Sequence, residues 1–231
     1  MWSQFWWVIY PYLTLGLMVI GAIYRVIDRP IGWGSRSSEI LEKNMLRWGS
    51  RLFHWGIIFV FGGHVVGLLV PIQVFHALGI PDEMYHVTAD IFGGLAGIAA
   101  WLGMLILLVR RLFHPRVRKN SSVADILAVF LLFLVITIGD AVTLIYNNVV
   151  GPYEYRTTVN PWIRDVLVFH PDKNLMLHVP LIIQIHIVVA LALLAVSPFT
   201  RLVHIWSLPI RYAVRAPIQY RARHLYQKRV G

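Results

Sequence analysis

The sequence predicts an all-α membrane protein, a bundle of five transmembrane helices with the N-terminus outside and the C-terminus in the cytoplasm. Three observations predict it. Five stretches are apolar over the ~20 residues a helix needs to cross a bilayer; they are approximately 5–26, 50–71, 88–111, 123–147 and 176–203. The chain is 58% hydrophobic and 14% charged, whereas soluble domains average roughly 45–50% and about 25%. Basic residues also alternate from one connection to the next. The longest connection, 148–175, is too short to hold a core. The expected organisation is therefore a membrane domain over 1–206 and a basic cytoplasmic tail over 207–231.

Helix one opens with Trp2, Trp6, Trp7 and Tyr10, an interfacial aromatic belt. Pro11 is expected near its start, where proline is tolerated. The segment lacks a basic n-region and a small-residue cleavage site, so it is expected to be a retained helix. The connection after it carries Arg25, Arg29, Arg36, Lys43, Arg47 and Arg51. The connection after helix two has no Lys or Arg, but has Asp82 and Glu83. The third, RRLFHPRVRKNSS, is strongly basic, the fourth less so, and the tail is basic again. The positive-inside rule places connections one and three and the tail in the cytoplasm. A net charge of +10 would suggest nucleic acid in a soluble chain; here its placement points to lipid headgroups or a partner subunit, and no nucleic-acid partner is expected. The absence of cysteine excludes disulfides, thiolate-held iron–sulfur clusters and thioether-linked haem within this chain.

Ten histidines are present. His76, His86, His114, His170, His178 and His224 fit solvated or hydrogen-bonded surface positions. His54, His64, His186 and His204 fall in or at the ends of apolar spans, where an imidazole costs free energy unless bonded. Helix two runs outward and helix five inward. Topology thus pairs His54 with His204 near the cytoplasm and His64 with His186 toward the outside. Two imidazoles from facing helices suit a six-coordinate b-type haem. Ten residues separate the helix-two pair, about 15 Å along the axis; eighteen separate His186 from His204, about 27 Å on one face. Tilted helices, tilted haem planes or a distortion near Pro198 would reconcile the two. Hydrogen-bonded core histidines or a proton path are the alternatives. Arg110, Arg111 and Arg201 stand at cytoplasmic helix ends, where they are candidates for haem-propionate contacts or simple positive-inside anchors.

Six stretches carry a resemblance: IYPYL at 9–13, LFHWGI with GGH at 52–64, FGGLAG at 92–97, RRLFHPRVR at 110–118, ADIL at 124–127 and FTRLVHIWSLP at 199–209. Together they resemble the gamma subunit of respiratory membrane-bound nitrate reductase, a di-haem cytochrome b. The resemblance implies two haem b groups, the proximal held by His54 and His204 and the distal by His64 and His186. It implies that menaquinol or ubiquinol is oxidised beside the distal haem, on the outer side of a bacterial or archaeal cytoplasmic membrane. Electrons would pass to an iron–sulfur beta subunit and a molybdenum-containing alpha subunit that reduces nitrate. Where familiar members carry an outer-loop lysine at the quinol site, this chain has Tyr85, followed by His86. With Gly63 these are the quinol-site candidates. Gln184 stands where familiar members have arginine, two residues before the distal ligand of helix five.

Asp140 lies about seventeen residues into helix four. An acid there is a functional candidate, here for outward release of quinol protons; a helix-end carboxylate reaching water or Arg156 is the plainer account. Asp90 is expected in the first turn of helix three, favoured by the helix dipole. Two other readings remain open: within the same class, a cytochrome b of another quinol-linked complex, and from a different class, a haem-free membrane anchor or transporter.

Overall fold

A computed structural model describes residues 2–28 and 38–206; the tail 207–231 lies outside the described residues. Their regular structure is all helical, with no strand among them. Five helices are long and apolar enough to cross a membrane: α1 (Trp2–Asp28), α2 (Asn44–Leu69), α3 (Asp82–Phe113), α4 (Val123–Val149) and α5, whose span covers Leu181–Phe199. They pack in series, α2 on α3, α3 on α4, α4 on α5 and α5 on α1. Side chains such as Ile20, Phe59, Phe92 and Leu95 stay exposed on the outside, as expected of surfaces solvated by lipid tails.

Two prolines organise the end of the bundle where α1 begins and α2 stops. Pro11 lies inside α1, not at its start, after a π-helical stretch over Phe5–Ile9. Lacking an N–H, it leaves the carbonyl of Trp7, four residues earlier, without its helical donor. The fully buried Trp162 supplies one, its Nε1 donating to Trp7 O at 2.9 Å. Pro71 orphans Gly67 O in the same way. The buried Asn160 donates to it through Nδ2 at 2.9 Å and to Val70 O at 3.2 Å. The short helix Val159–Leu167, a helix of the connection between α4 and α5, is thereby docked on α1 and α2. It builds one apolar core with Trp7, Val166, Met176 and Leu191. The second core runs between α2, α3, α4 and the end of α5 around Phe53, Ala100, Met104, Leu132 and Leu193.

The α2–α3 seam is the tightest. A Cβ on Gly56 would come within 2.7 Å of Ala96 O and 2.8 Å of Ala100 Cα, and one on Gly103 within 2.7 Å of Gly49 O. Small residues let the two backbones meet, the usual device of helix pairs in lipid.

Two boundaries differ from expectation. Helix three starts at Asp82 rather than near 88. Its first-turn acids, Asp82 and Glu83, lower the hydropathy but suit the positive end of the helix dipole. Tyr85 and His86 therefore sit on a helix rather than in a loop. Asp90 is two turns in, where Oδ1 accepts from Asn147 Nδ2 of α4 at 2.9 Å. Helix five does not run through to His204. Its α-helical part is Leu181–Val196, followed by a 3₁₀ turn over Ser197–Phe199, and Thr200 is extended (φ −123°, ψ −174°). His204 sits on a separate 3₁₀ segment, Arg201–Ile205.

Candidate functional site

The four span histidines form two facing pairs. The ring centroids of His54 and His204 lie 6.3 Å apart with planes at 50°, and those of His64 and His186 lie 6.2 Å apart at 28°. The break at Ser197–Thr200 is what reconciles the unequal spacings along α2 and α5: His204 is not five full turns down one helix from His186, because the chain leaves the helix between them. Helices α2 and α5 make no extensive backbone contact among the described residues, so each imidazole pair bridges an open seam. The open space extends to Gly62 and Gly63, where an added Cβ would meet nothing within 4 Å.

The tautomers follow from the backbone. His54 Nδ1 donates to Ser50 O at 2.7 Å, His64 Nδ1 to Val60 O at 2.8 Å and His204 Nδ1 to Arg201 O at 2.6 Å. A proton held on Nδ1 leaves the Nε2 lone pair on the far side of each ring available to a metal. His186 Nδ1 is buried with no hydrogen-bond partner among the described residues, and its Cε1 would lie 3.0 Å from a Cβ on Gly139 of α4.

The spacing discriminates between ligand types. Metal–imidazole bonds run about 2.0–2.1 Å; two of them in line, with ~1.1 Å from each nitrogen to its ring centre, separate the centroids by about 6.3 Å. Among the described residues no three His, Cys, Asp or Glu side chains converge. Two imidazoles suffice only where the remaining ligands come from elsewhere, as in a haem macrocycle. The donor set fits that group at both positions.

A polar cluster caps the end of the bundle nearer the His64–His186 pair. The hydroxyls of Tyr85 and Tyr155 are 2.8 Å apart, and a Cβ on Gly67, one turn beyond His64, would meet them at 3.1 and 3.2 Å. The Arg156 guanidinium lies 4.3 Å over the Tyr85 ring. It donates to Glu154 at 2.6 and 2.8 Å and to Asp82 at 3.0 Å. Its Nη1 is buried with no partner among the described residues. His86 Nε2 is 3.1 Å from Glu154 Oε2, and His76 Nε2 is 2.8 Å from Asp82 Oδ1. Burial, reinforced by the Tyr85 hydrogen bond, pushes the Tyr155 phenol upward, so it stays neutral. Burial also acts to raise the Glu154 carboxyl, but hydrogen bonds from Arg156 and His86 outweigh it and hold it below the ordinary range.

That lowered value has a pH consequence. Glutamate ordinarily titrates at about 4.3. The Glu154 contribution is complete above that value and is lost as pH falls through the lower folded value. Thermal melts across the acidic range should show the wild type losing stability there. Glu154→Gln should start less stable at neutral pH and give a flatter profile; parallel acid losses in both would refute the assignment.

The other sequence candidates are placed as follows. Asp140 is not at a helix end; α4 continues through a π-helical stretch, Ala141–Tyr146. Its carboxylate packs against Gly97 of α3, and Arg156 pairs with Glu154 and Asp82. Gln184 Nε2 donates to Val179 O at 2.7 Å and Met176 O at 3.2 Å, closing the turn before α5. At the opposite end, nearer the His54–His204 pair, Arg110 is buried and donates to Glu42 and Ser38. Arg111 approaches Asp125 at 3.7 Å and Arg201 bonds it at 2.6 Å. Sequence reasoning missed Asp125, Glu154, Tyr155 and Asn160. A signal existed for Asn160 alone, because Pro71 announces an orphaned carbonyl that some donor must meet.

A family model for the nitrate reductase gamma subunit matches residues 3–223. The chain is 47% identical to the nitrate reductase gamma chain of Bacillus subtilis over 221 residues, 96% of this chain and 99% of that one. It is 34% identical to the respiratory nitrate reductase 1 gamma chain of Escherichia coli over 223 residues, 96% of this chain and 98% of that one. It is 39% identical to the nitrate reductase-like protein NarX of Mycobacterium tuberculosis over 96% of this chain but 34% of that protein. Matched over nearly its whole length, and with five apolar helices of spanning length, this multi-pass protein of the bacterial cytoplasmic membrane belongs to the nitrate reductase gamma subunit family.

Proposed function

We propose that the chain is the quinol-oxidising cytochrome b subunit of a nitrate reductase, with His54 and His204 holding a proximal haem b and His64 and His186 a distal one. The observation that carries this reading is the repeated spacing of 6.3 and 6.2 Å between facing imidazoles. Each haem, once bound, supplies a one-electron carrier, and the two sites together link the outer and cytoplasmic sides. The alternation of basic connections supports an outside N-terminus and a cytoplasmic C-terminus.

Menaquinol or ubiquinol is taken at the outer edge, between Gly63 and His64 of α2 and the Tyr85–His86 turn of α3. Tyr85 and His86 offer hydrogen bonds to the quinol oxygens. His86, paired with Glu154, accepts a proton and passes it to outer water. Asp140 is a second proton-release group: Asp140→Asn should slow quinol oxidation with both haem signals intact, and an unchanged rate eliminates it. At the cytoplasmic end Arg110, Arg111 and Arg201 are the candidate propionate partners; Arg110 is held by the 38–42 segment, and Arg111 and Arg201 meet at Asp125. Electrons leave there for an iron–sulfur beta subunit and a molybdenum-containing alpha subunit.

A reduced-minus-oxidised visible spectrum of the purified chain, with a quinol analogue as reductant, tests the reading. Two b-type signals reduced by quinol are expected. Well-folded protein without haem overturns it and returns the four histidines to hydrogen-bonded or proton-conducting roles.

A further inference from the structure

The two histidine pairs are built differently. His64, His54 and His186 stand on regular helices, whose hydrogen-bond ladders fix their directions. His204 stands on a five-residue 3₁₀ segment after an extended Thr200. Such a piece has few internal bonds and poor hydrogen-bond geometry, so its orientation must be imposed from outside.

Three sets of contacts among the described residues act on it. Leu202 and Val203 are buried. Trp206 Nε1 reaches back to Ser197 Oγ at 2.9 Å. The third is ionic and long-range: Arg201 Nε donates to Asp125 Oδ1 at 2.6 Å. Asp125 is itself held rigidly. It lies in the first turn of α4, where it forms a capping box with Ser122: Oδ2 accepts from Ser122 N at 3.1 Å, and Asp125 N donates to Ser122 Oγ at 3.2 Å. Arg111 Nη1 lies 3.7 Å from the same Oδ2. Arg201 is thus used at both ends. Its side chain is anchored to α4, and its carbonyl takes the Nδ1 proton of His204 at 2.6 Å.

We infer that Asp125 is a positioning residue for His204, acting through Arg201 to set the place and ring plane of that imidazole against His54. The inference rests on the di-haem reading above. It makes the proximal site adjustable independently of the distal one, because no equivalent clamp is needed for an imidazole already fixed on α5.

The test compares wild type with Asp125→Asn in the full chain within native membranes. The readouts are haem retention, separate potentiometric titration of the two haems, and the ferric low-spin EPR signal, which responds to the angle between axial imidazole planes. Losing an outer-shell partner of a metal ligand typically weakens binding about 10–100-fold, and a loss of that size is expected at the proximal site alone. Asp125→Glu, which keeps the charge, should largely restore retention. Unaltered signals at both sites, or equal losses at both, overturn the inference. If Asp125→Asn fails to accumulate, Asp125→Glu carries the test: it keeps the ion pair with altered reach, so the proximal EPR signal and potential must move while the distal ones stay. A wild type without haem overturns the underlying reading as well; a two-haem wild type with an unaffected variant overturns this inference only.

Discussion

His64→Ala is expected to leave a folded protein with about half of its haem b, one of two equivalent histidine-held sites being lost. The structure separates this outcome from unfolding. His64 is exposed on the open seam, and its one hydrogen bond among the described residues is to Val60 O in its own helix. Its truncation creates no cavity in either core. What it removes is the imidazole facing His186 at 6.2 Å. Quinol-dependent reduction should fall by more than the ~10–100-fold that follows loss of an outer-shell partner. Haem content by pyridine haemochrome and quinol-driven reduction of the remaining haem check it. Full haem content in the variant would remove the pairing of His64 with His186.

Gly56→Val is expected to destabilise the bundle by about 3 kcal/mol or more, at or beyond the upper end of ordinary overpacking. The obstruction is backbone. A Cβ there meets Ala96 O at 2.7 Å and Ala100 Cα at 2.8 Å, and neither can rotate away as a side chain would. The helices must part, and α2 carries both His54 and His64. Both haem signals should therefore weaken together, unlike the selective loss in His64→Ala. Thermal unfolding in detergent, followed with haem absorbance, measures it. Gly63→Ala is the control: open space surrounds that position, so stability should change little. A Gly56→Val protein as stable as wild type would show that the α2–α3 seam is looser than these distances require.

Much of this was legible in the chain before any coordinates. The five spans were, because bilayer thickness and backbone hydrogen bonding demand ~20 apolar residues each, and that demand is met locally. The two histidine pairs were, because an imidazole in an apolar span needs a partner, and antiparallel spans leave few choices at each depth. The carbonyl orphaned by Pro71 can also be read from sequence, since that residue lacks an N–H just past an apolar span, whereas Pro11 was expected near a helix start, where it would orphan none.

Tertiary structure alone decided the rest. The 18-residue interval from His186 to His204 implied one helical face, yet the chain breaks at Ser197–Thr200 and swings His204 onto its own turn. Nothing local says that Asp125, 76 residues earlier, holds that turn. Nor does local pattern say that Asn160, 93 residues from Gly67, supplies the donor Pro71 removed. The acids Asp82 and Glu83 lowered hydropathy enough to hide the start of α3, although the helix dipole favours them there. Periodicity and span length are properties of neighbouring residues, so the sequence by itself determined how many helices cross and which polar groups lack partners. Which distant side chain meets each of those groups depends on how the helices pack, and only the folded bundle determines that.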